Sequence, residues 1–259
     1  MKRILIFVAS GFSTRMGGFP KALSTIKGKS VIENAIVLAK SYYDDIYIIN
    51  NPKTRPAFAK EIEDKQLPAK VREIITGKGD AESVLKSLQL VENEIGEPFD
   101  ATFCWGDAYF VSNIPFSIIT NYEQDITQIP SIIVGCSIDQ DPYAYFDIIT
   151  QNGDFSHPYI IKSYFKKKDG SVSVGIHDQC VFRCFSKTFL DCLAEYRKEL
   201  GYNGVDYNLS PTNEMGLLHS FTFFSKINKH AKATFIPPKN VFSFNTVEEL
   251  EQIIDSQND

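Results

Sequence analysis

Four short apolar runs, Ile4–Val8, Asp45–Asn50, Val71–Ile75 and Asp100–Cys104, punctuate the first part of this chain. Near-continuous runs of this kind suit strands buried on both faces. The segments between them have a different period. Ser30-Val-Ile-Glu33 reads as a capping box that opens a helix to about Lys40. Thr54–Lys65 keeps helical spacing, and Asp80 can cap a helix that starts beside it. Strands alternating with helices imply parallel pairing through right-handed crossovers. The expected fold is therefore α/β, with three αβα layers, Rossmann-like, around a mostly parallel central sheet.

The second half is less regular. Ser131–Ser137 is β-branched and apolar. Phe146–Thr150 and Tyr159–Lys162 flank Gln151-Asn-Gly-Asp154, which predicts a hairpin with an Asn152-Gly153 turn. Ser171–Phe185 predicts another strand region, Phe189–Leu200 and Glu214–Ile227 predict helices, and Ala233–Ile236 predicts a last strand. Thr246-Val-Glu-Glu249 is a second capping box before a terminal helix. No repeat or linker interrupts the pattern. The expectation is one domain over residues 1–259, whose half beyond about residue 135 decorates the sheet.

A formal net charge of -5 gives no bulk attraction to nucleic acid or to an anionic membrane surface. A polyanionic ligand would need a local basic site. The five cysteines lack zinc-ligand spacing and read as reduced core thiols, which suggests a cytoplasmic protein. No segment has the length of a membrane span.

In an open parallel sheet, ligands sit beyond the carboxyl ends of the strands. Three unusual segments fall at such ends: the loop from Ala9 to Lys21, "TGKGDAES" from Thr76, and Trp105-Gly-Asp107. The first supplies backbone N–H groups, with glycines that permit close approach, plus the fork of Arg15 and the point charge of Lys21. That set suits a triphosphate. By spacing alone, a plain turn with two solvated cations is an equal reading. The loop is neither a Walker A sequence nor GxGxxG.

Ala9-Ser-Gly11-Phe-Ser13-Thr-Arg15-Met16, followed by Pro20-Lys21, resembles the AAGxGTRM…PK signature of the nucleoside-triphosphate transferase (nucleotidyltransferase) superfamily, which has a GT-A-like fold. Met16-Gly-Gly18 looks most like the molybdenum-cofactor branch. Ser10 and Ser13 stand where the family usually has Ala and Gly. "GKGDAESVLKSL" is similar to the element with which pyrimidine-using members contact the base, with Gly77, Gly79 and Ser83 as matching positions. Trp105-Gly-Asp107 resembles the metal-binding GD element, and Asn245 in "FSFNTVEEL" matches a second metal ligand.

The resemblance implies a reaction. An acceptor phosphate attacks the α-phosphorus of a nucleoside triphosphate, and pyrophosphate leaves. A phosphomonoester is already mostly ionised at neutral pH, so no general base is required. Ala9, Ser10, Gly11, Phe12 and Ser13 would cradle the nucleotide, with Gly77, Gly79, Ser83 and Asp107. Arg15 and Lys21 would neutralise charge, and Asp107 and Asn245 would hold Mg²⁺. The base element and compact size are similar to capsule-pathway cytidylyltransferases, which implies CTP and a phosphorylated small acceptor such as phosphoglutamine. Residues 1–135 would bind nucleotide and 136–259 the acceptor. Lys162, Asp178, Arg183 and Glu214 are the acceptor candidates, with Asn213 a weaker one. The four histidines have no ligand spacing, and Lys166-Lys-Lys168 reads as a solvated hairpin tip. A sugar-1-phosphate or polyol-phosphate nucleotidyltransferase is the close alternative. A non-catalytic nucleotide-sensing module is the alternative of another class. Oligomeric state is left open by the sequence.

Overall fold

The structure, a computed structural model, describes residues 1–122, 127, 131–151 and 154–257, the side chains of 151 and 154–157 excepted. In chain order the strands are β1 (Arg3–Val8), β2 (Thr25–Ile26), β3 (Lys29–Ser30), β4 (Asp45–Asn50), β5 (Lys70–Glu73), β6 (Asp100–Trp105), β7 (Ala108–Phe110), β8 (Ile133–Gln140), β9 (Ala144–Gln151), β10 (Asp154–Phe165), β11 (Val174–Phe185), β12 (Ala231–Phe235) and β13 (Val241–Ser243). The helices are α1 (Val31–Ala39), α2 (Arg55–Asp64), α3 (Asp80–Ile95), α4 (Ile114–Thr120), α5 (Lys166–Asp169), α6 (Ser186–Glu199), α7 (Leu217–Lys226) and α8 (Val247–Ser256).

A nine-stranded sheet runs β5-β4-β1-β6-β11-β8-β12-β10-β9. β5, β4, β1 and β6 pair in parallel, as the strand-helix alternation predicts. Beyond β6, β11 and β10 run against their neighbours, while β8, β12 and β9 return to the direction of β1. The sheet is thus mixed but largely unidirectional, and both halves of the chain contribute to it.

Each face of the sheet is covered by helices. Along β1, Ile4, Ile6 and Val8 point into one core with Leu85 and Leu88 of α3, Phe189 of α6 and Phe221 of α7. Leu5 and Phe7 point into the other, with Ile32 and Ile36 of α1, Phe58 of α2 and Phe116 of α4. That alternation is the period of a strand, and burial on both faces is why its sequence reads as a continuous apolar run. Each such fully buried side chain stabilises the fold by about 1.5–3 kcal/mol.

The helix starts follow the predicted chemistry in two cases. Ser30 Oγ accepts from the Glu33 N–H at 3.1 Å, and Thr246 Oγ1 accepts from the Glu249 N–H at 3.3 Å. In the third case the prediction fails. Gly79, not Asp80, precedes α3, and the Asp80 carboxylate spans two helix starts, accepting from Ala81 N at 2.8 Å and Leu217 N at 2.7 Å. The β9–β10 hairpin forms with Gln151 opposite Asp154. Its expected Asn152-Gly153 turn lies outside the described residues. All five cysteines are free. No helix among the described residues is long and apolar enough to cross a membrane.

Candidate active site

From β1 the sheet grows first toward β4 and then, on the other side, toward β6. The loops leaving β1 and β6 therefore part, and a crevice opens at their carboxyl ends. A cleft of about 720 Å³ lies there, reached by Val8 at the end of β1 and Trp105 at the end of β6. The three segments singled out in the sequence converge on it, bringing Ala9, Ser10, Gly11, Ser13, Arg15, Lys21, Gly77, Gly79, Ser83, Asp107 and Asn245 to its walls.

The loop after β1 is pinned at its start. The buried Ser10 carbonyl accepts from Asn51 Nδ2 at 3.1 Å and from Thr76 Oγ1 at 2.8 Å. Asn51, at the end of β4, and Thr76 were not singled out in the sequence. An amide at the end of β4 was the only signal for Asn51, and a hydroxyl at the head of the glycine element the only one for Thr76. Ser13 sits at φ 48, the left-handed region that glycine enters freely. The chain thereby keeps a glycine-type bend with a serine. Gly106 is needed for a different reason: a Cβ there would stand 2.6 Å from Ala9 Cβ, where the ends of β1 and β6 touch.

Ser83 is turned inward. Its hydroxyl accepts from the Gly77 N–H at 3.2 Å and donates to the Gly79 carbonyl at 3.2 Å. It shapes the Gly77–Gly79 loop where that loop borders the cleft.

Lys21 and the two carboxamide or carboxylate oxygens form the centre of the site. Lys21 Nζ stands 2.6 Å from Asp107 Oδ2 and 3.0 Å from Asn245 Oδ1. Asp107 follows β6, whereas Asn245 precedes α8, which packs through Ile253 against Tyr109 of β7 and Phe244. The Glu249 side chain reaches back to the Asn245 backbone N–H and fixes that approach. Two hard oxygens within reach of one point are donors of the kind that Mg²⁺ would take. Among the described residues no group of three or more His, Cys, Asp and Glu side chains gathers as a metal site, so a protein-only cage is not formed. Arg15 is exposed at the rim of the cleft.

The opposite wall comes from β11. Because it runs against β6, its first half reaches the carboxyl end of the sheet and its second half runs away from it. Its pairing with β8 passes from Asp178 opposite Cys136 to Phe182 opposite Val134, so β11 carries extra residues there, with Cys180 at φ 56. A bulge of this kind re-aims side chains. Asp178 lines the cleft, together with His177, Gln179 and Tyr143, which sequence reasoning missed. His177 Nε2 meets Asp139 Oδ2 at 2.6 Å, and Ser137 also hydrogen-bonds that carboxylate. Burial raises Asp139, but the Ser137 and His177 hydrogen bonds outweigh it and hold the carboxyl below its usual range. Burial pushes Asp178 up. Asp80 is ringed by protein while its carboxylate opens on the cleft, and loss of surrounding water raises it from 3.8 to about 6.

Five predicted site residues stand outside the cleft lining. Phe12 is 59% exposed and outside the cleft lining. Lys162 lies exposed on β10, near the far edge of the sheet, with Nζ 4.3 Å from the Tyr164 ring centroid. Glu214 is exposed in a turn whose Ser210 hydroxyl bonds its backbone. Arg183 belongs to the half of β11 that runs away from the cleft. It is 6% exposed, and Nε and Nη2 grip the two Asp100 oxygens at 2.9 and 2.7 Å. Asn213 is tied to the Tyr207 N–H at 2.8 Å and to Asp206.

No curated protein matches the sequence. Solved structures match along the whole chain. An inositol-1-phosphate CTP transferase from T. maritima is 16% identical with a TM-score of 0.67, covering 100% of this chain and 95% of that one. A nucleoside-diphosphate-sugar pyrophosphorylase from Vibrio cholerae is 16% identical with a TM-score of 0.69, covering 97% and 99%. A CTP:phosphocholine cytidylyltransferase from Streptococcus pneumoniae is 14% identical with a TM-score of 0.62, covering 99% and 98%. The fold is that of these nucleotidyltransferases, and residues 5–114, which contain the glycine loop after β1 and Asp107, match the MobA-like NTP transferase domain.

Proposed function

We propose that this chain is a Mg²⁺-dependent nucleotidyltransferase. It joins a nucleoside monophosphate from a triphosphate, CTP by preference, to a phosphorylated small molecule and releases pyrophosphate. The observation that carries the reading is the meeting of Arg15, Lys21, Asp107 and Asn245, from distant parts of the chain, in one cleft at the carboxyl end of β1.

The work such a reaction asks of a protein is to align two anions and screen them. Backbone N–H groups after β1 would cradle the phosphates. Lys21 would hold the α-phosphate and neutralise charge gathering there. Asp107 and Asn245 keep its ammonium at the cleft floor until then. Arg15, exposed at the rim, would grip the β- and γ-phosphates as they leave. Asp107 and Asn245 are the groups that would hold Mg²⁺. The ion, when bound, supplies further charge screening between triphosphate and acceptor.

CTP is favoured by the glycine element at Gly77–Ser83 and by the cytidylyl transfer named for two structural neighbours. Phosphoglutamine in a capsule pathway is the specific acceptor we propose. A sugar-1-phosphate or polyol-phosphate acceptor is the second reading, favoured by likeness to the inositol-1-phosphate and nucleotide-sugar enzymes. The cleft gathers the two oxygens that would hold Mg²⁺, which a nucleotide-sensing module would not need. Pyrophosphate release with Mg²⁺ tests the reading across CTP, UTP, GTP and ATP, each with phosphoglutamine and with sugar 1-phosphates. Release with one pair supports transfer and identifies the base. Tight CTP binding with no release from any pair would refute it in favour of a sensor.

A further inference from the structure

Two anions brought together in one cleft need cations from more than one side. The loop after β1 supplies Arg15 and Lys21 to the walls. Lys162 and Arg183, the cations expected from the second half, do not line the cleft. Among the described residues beyond 135 that do line it, His177 is the only one whose side chain can carry a positive charge. Its place follows from the strands. Val181 of β11 pairs with Cys104 of β6. Traced from that pair toward the carboxyl end of the sheet, one strand leads to His177 and the other to Asp107.

The His177 ring is braced on one nitrogen only. His177 stands opposite Ser137 in the β11–β8 register, and Asp139 lies two residues further along β8, on the same face. His177 Nε2 meets Asp139 Oδ2 at 2.6 Å, with Ser137 Oγ and Gln179 Nε2 each 3.2 Å from the same nitrogen. Ser137 donates to Asp139 and accepts from Gln179 Nε2 at 2.7 Å, and Gln179 is itself buried. An ionised carboxylate only accepts, so Nε2 carries the proton of that bond. Nδ1 has no hydrogen bond among the described residues and is not a buried atom. It is the open nitrogen of a fixed ring, on a side chain that lines the cleft.

We infer that His177 Nδ1 receives the phosphate of the acceptor, and that Asp139 is the residue that positions it. This rests on the nucleotidyltransferase reading for the word acceptor. In its cationic form the ring donates from Nδ1 to a phosphate oxygen, a charge-assisted hydrogen bond, while Asp139 holds the other end. Asp178, next on the strand, stands across from Cys136 on the opposite face and accepts from the Cys180 N–H at 3.2 Å. A metal ion is a poorer occupant of Nδ1. Mg²⁺ takes oxygen donors, and no group of three or more His, Cys, Asp and Glu side chains gathers among the described residues. The triphosphate is met by Arg15 and Lys21 from the loop after β1. The acceptor phosphate is then held by His177 from the β11 wall as it approaches the α-phosphorus.

The test uses the full chain with ¹⁵N-labelled histidine, saturated with Mg²⁺ and α,β-methylene-CTP so that the loop after β1 is already filled. The probes are inorganic phosphate and glycerol 3-phosphate, with glycerol as the uncharged control. Both phosphates are expected to move the Nδ1 resonance of His177, assigned by its loss in His177→Gln, while glycerol moves nothing. The dissociation constant of glycerol 3-phosphate, followed by its ³¹P signal, should rise about tenfold or more in His177→Gln, the scale of a hydrogen bond to a charged group, with nucleotide affinity unchanged. Asp139→Asn should shift the Nε2 resonance and weaken the probe by less. An Nδ1 resonance that neither phosphate moves, or equal probe affinity in His177→Gln, would overturn the assignment, and probe binding untouched by Asp139→Asn would remove Asp139 from it. Pyrophosphate release from CTP with phosphoglutamine and sugar 1-phosphates, measured in parallel, separates the two claims. Phosphate binding at His177 without release from any pair would sink the reaction and support the anion site. Release whose acceptor KM is unchanged in His177→Gln would support the reaction and sink the role of His177.

Discussion

Replacing Arg183 by Met should unfold part of the structure and leave the cleft chemistry intact in whatever remains folded. The guanidinium lies between β6, β11 and the end of α4. Besides Asp100, it serves the carbonyls of Ile119, Thr120 and Tyr122 at 3.1, 3.2 and 3.3 Å. Those are carbonyls at the helix end, without helical partners, so Arg183 both caps α4 and complements its dipole. Removing it leaves the Asp100 charge inside the protein. Breaking a buried pair from one side costs about 3–5 kcal/mol. Arg3 is the only other cation shown paired with Asp100 among the described residues, at 3.9 Å and about half exposed, and such a contact returns under about 1 kcal/mol. At roughly 2–4 °C per kcal/mol for a chain of this size, the melting temperature should fall by about 6–20 °C. Urea titration followed by circular dichroism measures the loss. Asp100→Leu with Arg183→Met should recover most of it, because the stranded charge is gone. The reasoning is refuted if Arg183→Met keeps the parent urea midpoint but loses acceptor affinity, the result that a substrate-binding arginine would give.

Lys21→Ala should lower kcat by about 10²-fold or more, the usual scale for a preorganised charge donor, with stopped-time pyrophosphate assays as the readout. Glu249→Ala frees the Asn245 backbone N–H at the start of α8, and should weaken Mn²⁺ binding in the nucleotide complex, measured by electron paramagnetic resonance. Gly106→Ala forces a Cβ against Ala9 at 2.6 Å. Overpacking of that kind costs about 1–3 kcal/mol, and it should appear as a lower urea midpoint together with weaker nucleotide binding. Asp80 has its folded pKa raised to about 6 by lost hydration. Its contribution is fully present below its unfolded value, near 4, and is lost as pH rises through about 6. Asp80→Asn keeps both backbone hydrogen bonds, so it should match the parent at pH 4 and exceed it in stability above pH 6. A gain that is the same at both pH values would contradict this.

The strands and helix caps of the first half were legible because their signals are local. Continuous burial of β1 leaves Ile4–Val8 apolar throughout, and a capping serine must precede its helix by a fixed spacing. The direction of β11 was not legible, since strand pairing between Val181 and Cys104 joins residues far apart in sequence. That one fact sorts the acceptor candidates: it carries Asp178 into the cleft and Arg183 away from it. Lys162 and Glu214 failed for the same reason, because a charge in an irregular segment gives no sign of which end of the sheet it reaches. Asp107 and Asn245 were found through resemblance. Their meeting at Lys21 depends on α8 folding back over β7 and β13, a contact that no local pattern announces. Gln179 and Asn51 act through amides inside the protein, and amides in sequence look like ordinary surface residues.

The central claim is that the α-phosphorus moves from nucleotide to acceptor in this cleft. CTP labelled with ³²P at the α-position, incubated with Mg²⁺ and phosphoglutamine, follows that atom directly. The account predicts label in a new cytidine diphosphate-type product and unlabelled pyrophosphate in equal amount, both abolished by Asp107→Asn. Label recovered as CMP at the same rate with and without any acceptor would contradict it, and would mark the cleft as a site of hydrolysis.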